Sequence, residues 1–485
     1  MSETGQAMSR VDTAWLRMDT EVNLMMIIGV WLLRPAIRYA DLRERIRQRM
    51  LVYPRFREKV VQGALGSSWV PDTDFDLSRH IVVETLKPRR GQGERSALRQ
   101  RMGVLASQPL DHAHPLWKFH FIAHHAGGSA LICRIHHCIG DGVALNSVMM
   151  SIADGGEHPP EMSARVADEQ EAHHGDWVAE EMLRPFTGLA VKAIALYGEG
   201  LVKSLRALEH PRRTWRQGLA LLRDGGHLLG DMSELALMAN DSPTSLKGHG
   251  SGRKVVDWSE PLPLAQVGAV ARALRVTIND VLLACVAGAI GRYLGDRGED
   301  PTGKDIRALV PVNLRPLEEA WQLGNRFGLV PLMVPVGLAN PIARLGVVHA
   351  RMQALKRSYQ PLLTYGILLV SGLLVQRGQE ALSNLFLDKT TAVMTNVPGP
   401  REALKICGST VRQSIFWVPS SGDVGIGVSI ISYAGGVQFG LITDEKLCRH
   451  PGQIIESFAL EFEQLLVLTL MLPWAEEPAA ARAAH

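Results

Sequence analysis

Two adjacent histidines, His136 and His137, end a mostly apolar run, Leu131-Ile132-Cys133-Arg134-Ile135, and are followed by Cys138-Ile139-Gly140-Asp141-Gly142. The run has the length of a buried strand, and the Asp-Gly step turns the chain into a helix-like segment over 143–153. A neutral imidazole, with an unperturbed pKa of roughly 6.5, takes a proton near neutral pH without much tuning, so one histidine here suffices as a general base toward a hydroxyl. Neighbouring side chains on an extended strand point to opposite faces, so the two rings share a pocket only if the strand has already ended. One catalytic and one structural histidine is the expectation. Asp141 reads either as a turn former or as the partner of a buried arginine, and Gly142 allows a backbone conformation that other residues resist.

Two other readings stay open on these residues. A metal site would use His136, His137 and Asp141, but no third histidine or carboxylate follows at helical ligand spacing, so no metal is expected. The bland reading is a pair of satisfied core histidines. Other histidine pairs act as controls: His124-His125, before Ala126-Gly127-Gly128, reads as a solvated hairpin turn, and His173-His174 as polar surface. Neither is followed by Asp-Gly.

The elements that must position this turn need a large chain, and 485 residues with 46% apolar side chains divide naturally into two domains of more than 200 residues each. With 52 basic against 49 acidic residues the net charge is only +3, which leaves no nucleic-acid footprint. Five cysteines without a CxxC pair imply reduced thiols and a cytoplasmic setting. Residues 1–10 lack an export pattern, and the most apolar run, 361–375, falls short of the ~20 residues that span a bilayer.

Runs over 117–123 and 129–135 pair through Gly127-Gly128 and deliver the histidines at the end of the returning strand. Before them come a helix and strand over 8–33, a helix over 38–50 with Leu42, Ile46 and Met50 on one face, a strand-like segment opening at Phe75-Asp76-Leu77, and a helix over 94–110. Residues 176–208 and 211–238 read as long amphipathic helices. The second sets Arg212, Arg213, Arg216 and Arg223 beside Trp215, either for a membrane surface or as the solvated face of a helix packed on the protein. Residues 242–252 look like a crossover. Helices follow over 264–274 and 277–294, the second opened by Thr277 and Asp280 as a capping pair, which by itself accounts for Asn279-Asp280. A strand over 307–312, a turn at 323–328, and a strand over 390–400 that breaks at Pro398-Gly399 come next; there Thr395 or Asn396 serves an oxyanion or merely the turn. Strands over 413–418, 425–433 and 437–443 and a helix over 451–472 close the chain. Ala434-Gly435-Gly436 repeats Ala126-Gly127-Gly128, and Thr443-Asp444-Glu445 stands where the first half has His136-His137-Cys138. Two related halves with one live turn would put the site in the cleft between them.

HHCIGDG resembles the HHxxxDG signature of the coenzyme-A-dependent acyltransferase superfamily, which takes in chloramphenicol acetyltransferase-like enzymes, peptide-synthetase condensation domains and the bacterial wax ester synthase/diacylglycerol acyltransferases. Further stretches are similar to the last of these: Asp12, Trp15, Leu16 and Met25; Tyr53-Pro54-Arg55-Phe56-Arg57; Pro115-Leu116-Trp117; Asn279-Asp280; Pro311 to Arg315; Leu323-Gly324-Asn325-Arg326; and Thr395-Asn396-Val397-Pro398-Gly399-Pro400. The resemblance implies an α+β fold of two chloramphenicol-acetyltransferase-like sheet-and-helix domains, 8–252 (with a helical connector from about 155) and 253–475, with the active site in a channel between them. It implies acyl transfer from acyl-CoA, a substrate and not a cofactor, to a fatty alcohol or diacylglycerol, without a covalent intermediate.

By that resemblance His137 is the base, His136 a support, Asp141 the ion-paired holder of the loop beside Gly142, and Asn279 a polar group across the cleft. Trp117, Thr395 and Asn396 join Asn279 as substrate contacts, although packing explains Trp117 equally well. An acyl-enzyme at Cys138, a metal-dependent hydrolase and a non-catalytic lipid-surface protein are the competing readings. The expected location is cytoplasmic, with peripheral contact to the inner membrane or lipid inclusions.

Overall fold

The computed structural model describes residues 5–63, 66–156, 241–315, 319, 322–356, 364, 389–419 and 424–472. The helices read over 176–208 and 211–238, His173-His174, and the apolar run 361–375 apart from Thr364 lie outside the described residues.

Two mixed sheets organise the chain. The first runs β13 (Lys405–Ile406), β14 (Ser409–Trp417), β2 (Met26–Arg34), β7 (Gly128–His136), β6 (Trp117–His125), β5 (Ile81–Glu84). The second runs β11 (Phe327–Val334), β10 (Ile306–Asn313), β12 (Ala392–Pro398), β15 (Ile426–Tyr433), β16 (Gly436–Asp444), β8 (Lys254–Trp258), with β9 (Leu262–Pro263) also on β16. A small third sheet joins β1 (Gln6–Ala7), β4 (Gly66–Pro71) and β3 (Glu58–Gly63). Among the described helices, α1 (Arg10–Arg17), α2 (Tyr39–Arg49), α3 (Leu77–His80), α4 (Glu94–Ala106) and α5 (Gly142–Ile152) belong to the first half. In the second half are α6 (Leu264–Leu274), α7 (Ile278–Asp296), α8 (Pro341–Lys356) and α9 (Pro451–Leu470).

The repeat read from the two Ala-Gly-Gly turns extends to whole strand units. Ala126 and Gly127 have φ of 50° and 74°, and Ala434 and Gly435 have 49° and 78°, so both hairpins close through two left-handed residues, the geometry that matches strand twist. Around the first hairpin β5 is parallel to β6, and β6, β7 and β2 alternate. Around the second β12 is parallel to β15, and β15, β16 and β8 alternate in the same way. The strand that ends in His136 thus corresponds to the strand that ends in Asp444.

The second half also lends strands to the first sheet. β14, far along the chain, pairs with β2 of the first sheet, and Trp417 at its end lies edge-on to Trp258 of β8 at 5.7 Å. Alternating apolar residues specify that 409–417 is extended; they do not say which sheet it joins.

Two local expectations change. Phe75-Asp76-Leu77 opens the short helix α3 rather than a strand, because the Asp76 carboxylate accepts the Ser78 backbone N–H at 2.9 Å and caps it. His125 is 7% exposed, not a solvated turn residue, since β6 continues to it and only Ala126-Gly127 form the loop. The helix α7 has the capping box expected at Thr277. It is also long and apolar enough to cross a bilayer, but 83% of that window is buried inside the protein, where α9, α8 and the second sheet cover it.

Candidate active site

The chain leaves β7 held by both neighbours: the His136 N–H donates to Leu116 O at 2.9 Å and the His137 N–H to Met25 O at 2.7 Å. A turn then returns the Ile139 N–H to His136 O, and Asp141 begins α5 by accepting the Ala144 N–H on Oδ1 at 2.9 Å. Its other oxygen accepts from Arg315 Nη2 and from the Arg326 backbone N–H, each at 3.0 Å. Asp141 is therefore both turn former and arginine partner, and its side chain and that of Arg315 are buried. The loop before β11 runs beside this turn: Gly324 N donates to Ile139 O, Asp141 N to Gly324 O, and Arg315 Nη2 to the same Gly324 carbonyl at 2.6 Å. Gly324 has φ +109°, a conformation that admits little but glycine. The histidine turn is thus stapled to the second half of the chain.

His137 stacks on Trp15 at 4.5 Å with its ring 14° from parallel, and Phe327 lies at 5.6 Å. Its Nδ1 is 2.9 Å from Asn325 Oδ1, and Asn325 Nδ2 donates at 2.8 Å both to Asp12 Oδ1 and to His137 O. Burial pushes the imidazole down to about 4, against the opposing pull of the Asp141 charge and the Asn325 hydrogen bond. The ring is held in the neutral form that a general base needs, while the same burial makes its protonated form costly until a substrate's developing charge offsets it. A base works only in its neutral form, so a lowered pKa moves the acid limb of activity downward. The pH profile of kcat/KM is expected to stay level below the ordinary histidine value of roughly 6.5 and fall only near 4. A limb near 6.5, measured where the protein remains folded, would contradict this.

His136 turns to other partners, as the opposite-face argument requires. Its Nδ1 accepts the Cys138 N–H at 3.1 Å, and its Nε2 lies 3.6 Å from Asp19 Oδ2, which His112 also approaches. Burial works to raise the Asp19 carboxyl, but the nearby imidazoles of His112 and His136, each 3.6 Å away, outweigh it and hold Asp19 well below the usual carboxylate range. Asp19 Oδ1 accepts the Met25 N–H at 2.7 Å, and Met25 O in turn accepts the His137 N–H. His136 thus supports the backbone from which His137 projects.

The other expected site residues are not drawn into this network. Asn279 sits in the first turn of α7, where its Oδ1 accepts from Asn396 Nδ2; the pair makes no hydrogen bond to His137. Thr395 is buried, with its hydroxyl directed to Val428 O at 3.3 Å within the sheet. Trp117, expected beside substrate, is a core residue: it is 1% exposed, donates Nε1–H to Phe56 O at 2.9 Å and stacks on His80 at 4.5 Å.

Gly142 opens onto a cavity enclosing about 780 Å³ of space, solvent at its mouth included. Leu145, Asn146, Met149 and Met150 continue the lining along the same face of α5, opposite Ile27 and Ile135 of the first sheet, and Val397, Pro400 and Tyr433 of the second half close it. The lining is predominantly apolar, with Asn146 and Ser414 among its polar members. Sequence reasoning did not single out Asn325 or Arg315 as site residues, and it left Asp12 and Trp15 as positions of resemblance only. Their one signal was membership of those similar stretches.

The pattern of the wax ester synthase/diacylglycerol acyltransferase catalytic domain matches residues 8–282, and that of the family's C-terminal domain matches 323–466. The chain belongs to the wax ester synthase/diacylglycerol acyltransferase family. A Mycobacterium tuberculosis protein named as diacylglycerol O-acyltransferase tgs1 is 27% identical over 399 residues, which cover 80% of this chain and 78% of that one. A second M. tuberculosis protein, named as diacylglycerol O-acyltransferase Rv3087, is 26% identical over 437 residues, covering 87% and 88%. The solved wax ester synthase/diacylglycerol acyltransferase from Marinobacter aquaeolei VT8 superposes with a TM-score of 0.64 at 19% identity, covering 96% of this chain and all of that one. The first condensation domain of the calcium-dependent antibiotic synthetase superposes at 0.57 with 13% identity and 97% coverage of each chain. The fold is that of the two-domain acyltransferases, and the protein is an acyltransferase of a family that uses acyl-CoA as substrate.

Proposed function

We propose that this family member transfers a long acyl chain from acyl-CoA to the hydroxyl of diacylglycerol or of a fatty alcohol, with His137 as general base and no covalent intermediate. One observation carries the reading: a neutral imidazole tethered at Nδ1 stands in the same turn as Gly142, where an apolar cavity between the two halves begins. Both substrates bind together. Nε2 of His137 takes the hydroxyl proton as the oxygen attacks the thioester carbonyl; the C–O bond forms, the C–S bond breaks, and the proton leaves with coenzyme A as its thiol.

Cys138 supports the absence of an acyl-enzyme, because burial drives its thiol far above the range in which thiolate forms. The cavity lining supports an alkyl tail. Asn396 adjoins Val397 of that lining, which favours the Asn279–Asn396 pair as our candidate for the oxyanion. The names of the relatives favour diacylglycerol as acceptor. Either acceptor resides in lipid, and we propose that the enzyme works from the cytoplasm at a membrane or lipid-inclusion surface. The test presents palmitoyl-CoA with vesicles carrying diolein or hexadecanol, and follows ester and free thiol together with flotation of the protein. Equal yields of thiol and ester are expected, with the faster acceptor naming the substrate. Thiol release without ester from either acceptor would sink the reading.

A further inference from the structure

Asn325 is 4% exposed and stands 188 positions from His137 in the chain, yet its amide is fully engaged at the catalytic ring. One end of that amide meets two atoms at 2.8 Å, a carboxylate oxygen of Asp12 and the carbonyl oxygen of His137. Both are acceptors, and the Asp12 oxygen also takes the Asn325 backbone N–H at 3.0 Å, so the end facing them has to be the NH2 group however the side chain is drawn. The amide oxygen then faces His137 Nδ1 at 2.9 Å, and an oxygen in that place requires a proton on Nδ1.

We infer that Asn325, oriented by Asp12, is a positioning residue that holds His137 in the Nδ1–H tautomer, so that the lone pair on Nε2 is presented to the acceptor hydroxyl. The inference rests on the reading of His137 as the base and adds how its working nitrogen is chosen. A free neutral imidazole exchanges its proton between the two nitrogens, and in the tautomer whose lone pair faces the protein Nε2 cannot act as a base. Serine hydrolases fix the tautomer with a carboxylate. Here the partner is a neutral amide, which selects the tautomer without placing a charge against the ring, in keeping with an imidazole pushed down to about 4. The carboxylate sits one bond further out, on α1, where burial raises it. Three distant segments thus meet at one proton: α1 through Asp12, the turn after β7 through His137, and the loop before β11 through Asn325. That loop also delivers the Arg326 N–H to Asp141, so one stretch of backbone sets both residues of the turn.

The wild-type protein, labelled with 15N-histidine, gives the direct test. The His137 signal, assigned by its loss in His137→Gln, is expected to show a protonated Nδ1 and an unprotonated Nε2 at pH 7; a protonated Nε2 would overturn the proposal whatever the activity. Asn325→Leu, similar in volume but without an acceptor, is expected to mix the tautomers and lower kcat at least ~10-fold with KM for acyl-CoA little changed. The wrong tautomer costs about 10⁴ in the serine-hydrolase case, which sets the upper end. Asp12→Leu should act in the same direction. Asp12→Asn, which turns its own amide oxygen toward Asn325, should restore both the spectrum and most of kcat. If Asn325→Leu and Asp12→Leu fold and leave the tautomer unmoved, the proposal fails. A correct tautomer in a protein whose His137→Ala variant still makes ester would instead fault the base reading: Asn325 would still set the tautomer, but not for catalysis.

Discussion

Arg315→Met is expected to lower the midpoint of denaturant unfolding by the equivalent of about 3–5 kcal/mol, because it leaves a buried carboxylate without its counter-charge. The Asp141 side chain is 5% exposed and that of Arg315 1%, so water cannot take over the interaction. Two backbone N–H groups, from Ala144 and Arg326, would still hold the carboxylate, but they satisfy its lone pairs and not its charge. Gly324 O would lose the same guanidinium, and with it the clamp that keeps the loop before β11 against the histidine turn. Ester synthesis should fall with stability, since that loop carries Asn325. The pair is tested by a cycle with Asp141→Asn: removing both charges should recover part of the loss, and the double variant should be more stable than Arg315→Met alone. Simple addition of the two single effects would mean that the ion pair carries no coupling and that Arg315 acts by packing.

What the sequence made legible follows the range of the interactions. The strand ending in two histidines, the Asp-Gly entry to α5, the Ala-Gly-Gly hairpins and the Thr277 capping pair are all written within a few residues of one another, and each is found where it was read. Asp141 was open between a local role as turn former and a long-range one as arginine partner, and fills both. The partners that complete the site are far away: Asn325 lies 313 positions from Asp12, and Arg315 lies 174 from Asp141. No periodicity encodes such pairings; only a resemblance of whole stretches hinted at them. Trp117 was open between a substrate contact and plain packing, and the structure places it in the core. A large aromatic entering a strand has the same local pattern whether it walls a pocket or fills a core, and its burial against Phe56 and His80 decides the matter only in three dimensions. His125 shows the same limit at a hairpin, where one more strand residue turns a solvated side chain inward.

His137→Ala is expected to reduce kcat for ester synthesis by about 10²- to 10⁴-fold, the usual contribution of a positioned general base, with KM for acyl-CoA little altered. The residual rate would come from holding thioester and hydroxyl together in the channel, which alanine leaves in place. The replacement also strips a ring from the cluster it forms with Trp15 and Phe327, so some loss of stability accompanies it, and the comparison has to be made at a temperature where circular dichroism shows both proteins folded. His137→Gln, which refills most of the space, separates the two effects: a stable but inactive glutamine variant assigns the loss to proton transfer. His136→Ala should behave differently, weakening the fold around Asp19 and Met25 more than the chemical step, because its ring lies against the Cys138 backbone and the Asp19 carboxylate. Cys138→Ala should keep the activity, as befits a thiol too deeply buried to ionise. A His137→Ala protein that folds and retains activity within a few-fold of wild type would remove the base from this mechanism, and orientation of the two substrates would then have to supply the whole rate.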